Sequence, residues 1–156
     1  MGLRQGGGSF RVILCENEYM IAVEVQHYLS RARDFLKGMD LLKDDLTGYR
    51  YSPALLGIHS AISYSDALRT GMGCTDVSAD DHRNAARDLK SRLSARKYED
   101  QKGAEKLDHL LGKTRKKIAY FPEASDVDEI KSVVLHVERF ASWAEKTGKQ
   151  LNIAGW

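Results

Sequence analysis

The chain has 156 residues, 42% of them hydrophobic and 29% charged, with a formal net charge of +2. That is the size and make-up of one ordinary domain with a real core, and it excludes a disordered, collagenous or disulfide-framed chain. No stretch approaches the roughly 20 apolar residues of a membrane helix, and the glycine-rich start, whose apolar run is broken by Arg11, is unlike a signal peptide.

Cys15 and Cys74 form no paired-cysteine metal motif, so a reducing, cytoplasmic setting is the expectation. The mild net charge hides an uneven distribution. Residues 83–117 hold 12 Lys/Arg against 5 Asp/Glu, a balance that suits either a polyanion-facing surface or an ordinary solvated helix pair.

In chain order, Met1 to Ser9 reads as an arm, and Phe10 to Cys15 as a short extended segment or the lead-in to a helix. From Ile21 the apolar residues Val25, Tyr28, Ala32, Phe35, Met39, Leu42 and Leu46 recur at alternating spacings of four and three, which predicts a long amphipathic helix stopped by Gly48. A second helix is expected to open at Ser52-Pro53, with serine as the cap and proline in the first turn. Its apolar seam is Ala54, Ile58, Ala61, Ser65, Leu68 and Met72. A second stripe of the same helix, His59, Ser63, Asp66 and Thr70, is polar. Such a stripe either lines a cleft or is a wetted face.

Ser78 with Asp81 reads as the cap of a third helix running to about Lys97. Its apolar side, His82, Ala86, Leu89 and Leu93, is thin, and Arg83, Arg87 and Lys90 form a basic stripe, so this helix is placed outside the bundle. A fourth helix from about Ala104 is expected to bury Leu107, Leu111, Thr114 and Ile118 and to stop before Pro122. Ser125 is expected to cap the last helix, Val127 to Lys146, with Gly148 ending it. The apolar tail Leu151 to Trp156 is then free to fold back.

The sum is an all-α chain: four principal antiparallel helices in a bundle plus a shorter outer helix, one domain with its bundle over residues 16–147. Lys113 to Pro122 is the basic end of the fourth helix. Helical offsets of three, four and seven put Asp108, Gly112 and Ala119 on the face of Arg115, and the two small residues leave room for another backbone beside a long cation. On the first helix, Glu24 and His27 match the Glu-x-x-His spacing of di-iron bundles. Those sites need a second such motif and two further glutamates, so no metal or cofactor is expected.

The helix order, the stretch Leu55-Leu56-Gly57-Ile58-His59-Ser60-Ala61-Ile62-Ser63-Tyr64-Ser65-Asp66-Ala67-Leu68, the later Asp81-His82-Arg83, and Leu110-Leu111 through Arg115 to Tyr120 together resemble a HEPN domain. Many HEPN proteins are metal-independent ribonucleases that work as dimers, using an arginine followed four to six residues later by a histidine. Arg115 matches the arginine, but Tyr120 stands where the histidine would be. A tyrosine with a pKa near 10 is a poor general base, although it can hold a phosphate or stack on a base.

The resemblance therefore implies a homodimeric domain that binds RNA, a nucleotide or a protein partner, rather than an efficient nuclease. By that resemblance the site positions would be Arg115 and Tyr120, while the stripe residues His59, Ser63 and Asp66 and the basic residues Arg83, Arg87, Lys113 and Lys116, read from their own spacing and charge, are the candidate binding residues. Two alternatives stand beside it. One is a metal-independent ribonuclease of toxin or defence type with His59 or His109 as the base, and the other is a purely structural interaction module.

Overall fold

The computed structural model describes residues 8–77, 82–120 and 125–156, with side chains from residue 14 onward. Its regular elements are all helical: α1 (Gly8–Leu42), α2 (Ser52–Gly71), α3 (His82–Ala95), α4 (Lys102–His109), α5 (Arg115–Tyr120) and α6 (Val127–Gln150), with a π-turn over Leu110–Thr114 joining α4 to α5. The all-α class read from apolar spacing is the one that forms. None of these helices is long and apolar enough to cross a membrane.

α2 is the axis of the bundle. Every residue from Ser60 to Thr70 is buried, because its small side chains let neighbours approach on several sides. α1 runs antiparallel to it: Ser60 Oγ donates to the Ala32 carbonyl at 2.7 Å, and a Cβ on Gly57 would lie 2.7 Å from Met39 Sδ. α6 is antiparallel to α1 and shares its direction with α2, as the pairs Lys43–Glu138 and Arg33–Glu145 show. Leu29, Leu68, Leu89, Leu107 and Phe140 are fully buried where these helices meet. Each such side chain contributes about 1.5–3 kcal/mol by leaving water.

Several helix ends differ from the sequence expectation. α1 begins at Gly8 and so takes in Phe10 to Cys15. It stops at Leu42, not at Gly48, and the chain then turns with Tyr49 N–H donating to Asp45 O at 2.9 Å and Gly48 N–H to Asp45 Oδ1 at 3.0 Å. Leu46 still packs half-buried on the core.

The cap of α2 is Tyr51, not Ser52, although Pro53 does lie in the first turn. Asp126, not Ser125, caps α6. Its Oδ1 accepts from Glu129 N–H at 2.8 Å while Glu129 Oε2 accepts from Asp126 N–H at 3.2 Å, a reciprocal pair that serine one residue earlier has no partner to form. Val127 is exposed and does not join the α6 seam. The Ser78 cap and the Pro122 stop lie outside the described residues.

α6 also runs through Gly148 to Gln150, because the tail uses that glycine as a seat. A Cβ there would come within 2.1 Å of the Trp156 indole. Trp156 Nε1 donates to Glu145 Oε2 at 3.2 Å, and the same carboxylate accepts from Tyr64 and, through both oxygens, from Arg33. The tail thus closes over a partly buried polar cluster between α1, α2 and α6.

Candidate functional site

The polar stripe of α2 is not a wetted face. Ser63, Asp66 and Thr70 are buried, and only His59, at the outer end, opens to solvent. The reason lies on α1, where Tyr28, Arg31 and Phe35 project over the stripe. With His59, Ser63, Asp66 and His82 they enclose a cleft of about 380 Å³ between α1, α2 and the start of α3. Tyr28 and Phe35, expected on the apolar seam, sit at its edge, because Val25, Leu29, Ala32 and Met39 fill the centre. Phe35 lies against the His59 ring with centroids 5.5 Å apart.

Arg31 is the side chain that organises the cleft. Its Nε donates to Ser63 Oγ at 2.9 Å, its Nη2 approaches Asp66 Oδ2 at 3.4 Å, and its guanidinium stands 5.2 Å from the Tyr28 ring centroid. The side chain is nonetheless 50% exposed, so a positive group held from behind faces solvent. Ser63 in turn donates to the His59 carbonyl at 2.9 Å.

The ion contacts of Asp66 with the two arginines are long, 3.4 Å to Arg31 and 3.6 Å to Arg69 Nη1, against the 2.7–2.9 Å of a strong charge-assisted bond. Arg69 is committed elsewhere. Its Nε donates to Asp88 Oδ2 at 2.7 Å, and Arg92 donates to that same oxygen at 2.9 Å. The two aspartates accordingly part company. Burial pushes the Asp66 carboxyl up to about 7, with Arg69 and Arg31 working the other way. At Asp88 burial also acts upward, but the bonds from Arg92 and Arg69 outweigh it and hold the carboxyl below its ordinary value. Asp66 therefore exchanges its proton near neutral pH.

Arg115, at the first position of α5, is half-buried, and its charge acts on His59 at the outer end of the stripe. Burial, then the charges of Arg115 and Arg31, lower the His59 pKa. Three of the site residues expected from sequence, His59, Ser63 and Asp66, line the one cleft, and Arg115 acts on His59 by its charge without lining that cleft. Tyr120 is not among them: it is 69% exposed, at the other end of α5. Arg83, Arg87, Lys113 and Lys116 are exposed and none lines the cleft. Lys117 is tied to Glu129 of α6. His109 lies against His136, 5.3 Å between ring centroids, where it faces α6 and not the cleft.

The shared face of Asp108, Gly112, Arg115 and Ala119 does not form. Gly112 carries a non-helical ψ of −120° inside the π-turn, which re-aims everything after it. Among the described residues no three His, Cys, Asp or Glu side chains gather as metal ligands, and Glu24 and His27 line a separate, larger cleft beside Tyr28.

Arg31 was not singled out from the sequence. One signal pointed to it: Tyr28, Arg31 and Phe35 share a helical face at offsets of three and four. No protein-family model, curated protein or solved structure matches the chain.

Proposed function

We propose that this chain is a HEPN-like helical domain that binds RNA, seating a backbone phosphate at the corner formed by Arg31, His59 and Arg115, without efficient cleavage. The observation that carries it is the cleft over the α2 stripe, where the half-exposed Arg31 guanidinium, held by Ser63, shares the walls with His59; the charge of Arg115 also acts on His59 and disfavours its protonation. A half-exposed guanidinium beside an exposed imidazole, with the charge of a second arginine acting on that imidazole, is a seat for an oxyanion. Arg83, Arg87, Lys113 and Lys116 supply a further basic surface that draws in a polyanion at longer range. A homodimer and a cytoplasmic setting belong to the same proposal. An NMR titration with single-stranded RNA at low salt tests it. The His59 ring resonances should shift with ligand, and resonances that stay still while RNA is in excess contradict the site.

One observation favours a second possibility, metal-independent RNA cleavage. His59, whose protonation is disfavoured by burial and then by the charges of Arg115 and Arg31, fits the base that Tyr120 cannot be. RNA turnover in chelator, lost in both His59→Ala and Arg115→Ala, would support it, while turnover unchanged in either variant would remove it. A protein partner that co-purifies with the chain, with no RNA affinity, would instead favour the interaction module.

A further inference from the structure

The cleft over the α2 stripe adjoins a second, larger one. Tyr28 and Arg31 line both: on their far side, α1 and the turn after α2 enclose about 810 Å³ between Met20, Ile21, Thr70 and Cys74. That size is ample for one nucleoside, since small-ligand sites commonly span about 300–1,000 Å³. The chemistry of the walls is selective. Met20 and Ile21 present apolar surface, Met20 being 62% exposed, and Tyr28 adds an aromatic edge. Thr70, 2% exposed, also lines the cleft, and its Oγ1 is buried with no hydrogen-bond partner among the described residues. A buried hydroxyl without a partner is costly unless something enters to satisfy it.

We infer that this larger cleft takes the nucleobase and ribose of the nucleotide whose phosphate lies at Arg31, with the Thr70 hydroxyl bonding an edge of the base. The inference rests on the RNA-binding function proposed above and adds the base subsite to it. The shared wall of Tyr28 and Arg31 is what selects this occupant. Arg31 is held against Ser63 on one side and over the Tyr28 ring on the other, so a single ligand that bridges it must be anionic toward His59 and flat and largely apolar toward Met20. A nucleotide has that polarity. A free phosphate would fill only the first cleft, and an aliphatic chain would leave the Thr70 hydroxyl unpaired.

Equilibrium binding of hexauridylate, compared with an abasic ribose-phosphate strand of equal length, separates the two subsites. The intact strand should bind at least about tenfold tighter, in line with base contacts on an aromatic and polar pocket. Thr70→Val should remove about three- to tenfold of that margin. Met20→Ala, a change at an exposed position that folding tolerates, should also narrow it, and neither substitution should alter binding of the abasic strand. Arg31→Ala should weaken both strands. Equal affinity for the two strands, or a margin untouched by both Thr70→Val and Met20→Ala, overturns the base subsite while leaving the phosphate site standing. Absence of binding by either strand at low salt overturns both.

Discussion

Arg31 Nε donates to Ser63 Oγ at 2.9 Å across the seam between α1 and α2, residues 32 positions apart in the chain. That bond fixes the guanidinium from behind and leaves its outer side to solvent. Ser63→Ala should therefore loosen the cation without removing it. RNA affinity is expected to fall about three- to tenfold, against a larger loss for Arg31→Ala, and stability by about 1 kcal/mol. Binding isotherms with parallel thermal melts check this. An Arg31→Ala effect no larger than that of Ser63→Ala would count against Arg31 as the contact.

Asp66 gives the fold a pH dependence whose sign is fixed by burial. Its carboxyl sits at about 7 in the folded chain, against about 3.9 unfolded, so the folded state holds the extra proton between those values. Stability from this group is full below the unfolded pKa and is lost as pH rises through 7. Asp66→Asn lacks that slope. Between pH 5 and pH 8 the natural chain should lose on the order of 2–3 kcal/mol more than the variant. Urea unfolding of both proteins at the two pH values measures the difference, and parallel curves contradict it.

Glu145 holds the closing tail through Arg33, Tyr64 and Trp156. Burial raises its pKa, but the bonds from Arg33 and Tyr64 prevail and keep it below the ordinary value. Glu145→Ala strands three donors at once, with an expected cost of about 2–4 kcal/mol. That corresponds to a melting temperature lower by roughly 5–15 °C for a chain of this size. Removing Trp156 alone should cost less, since Tyr64 and Arg33 keep their acceptor.

Gly103 marks the closest approach of α4 to α6. A Cβ there would stand 2.0 Å from the Trp143 indole, whose Nε1 is itself held by the Asp100 carbonyl at 3.2 Å. The ring cannot easily step aside. Gly103→Ala should destabilise by about 1–3 kcal/mol, the usual penalty of overpacking, despite the better helix propensity of alanine. A melting temperature equal to or above that of the natural chain would mean that the indole yields.

The helices were legible because apolar residues repeat at three and four, and that spacing survives whatever packs against it. The ends were less so. Ser52 and Ser125 look like caps, yet capping is decided by which backbone N–H groups a side chain reaches, and Tyr51 and Asp126 occupy the positions. The stop at Gly148 gave way to a long-range contact from Trp156, eight residues on. Within the site, the α2 stripe and Arg115 were visible as residue types at helical spacing. The action of Arg115 on His59 was not, because the path of the chain after Gly112 follows a non-helical ψ that its neighbours in sequence do not dictate. Arg31 escaped for a similar reason: its partners Ser63 and Asp66 become neighbours only when α1 and α2 pack. The weight placed on Tyr120 was set by its distance from Arg115 along the chain, and five residues of helix carry it to another side.

The most direct measurement is a salt titration of single-stranded RNA binding with the natural chain, Arg31→Ala and Arg115→Ala. The expected result is affinity that rises steeply as salt is lowered, with each substitution weakening binding and flattening the logarithmic slope by about 0.7, the share of one phosphate contact. Negligible affinity at low salt, or slopes unchanged in both variants, would contradict an RNA phosphate seated between Arg31, His59 and Arg115.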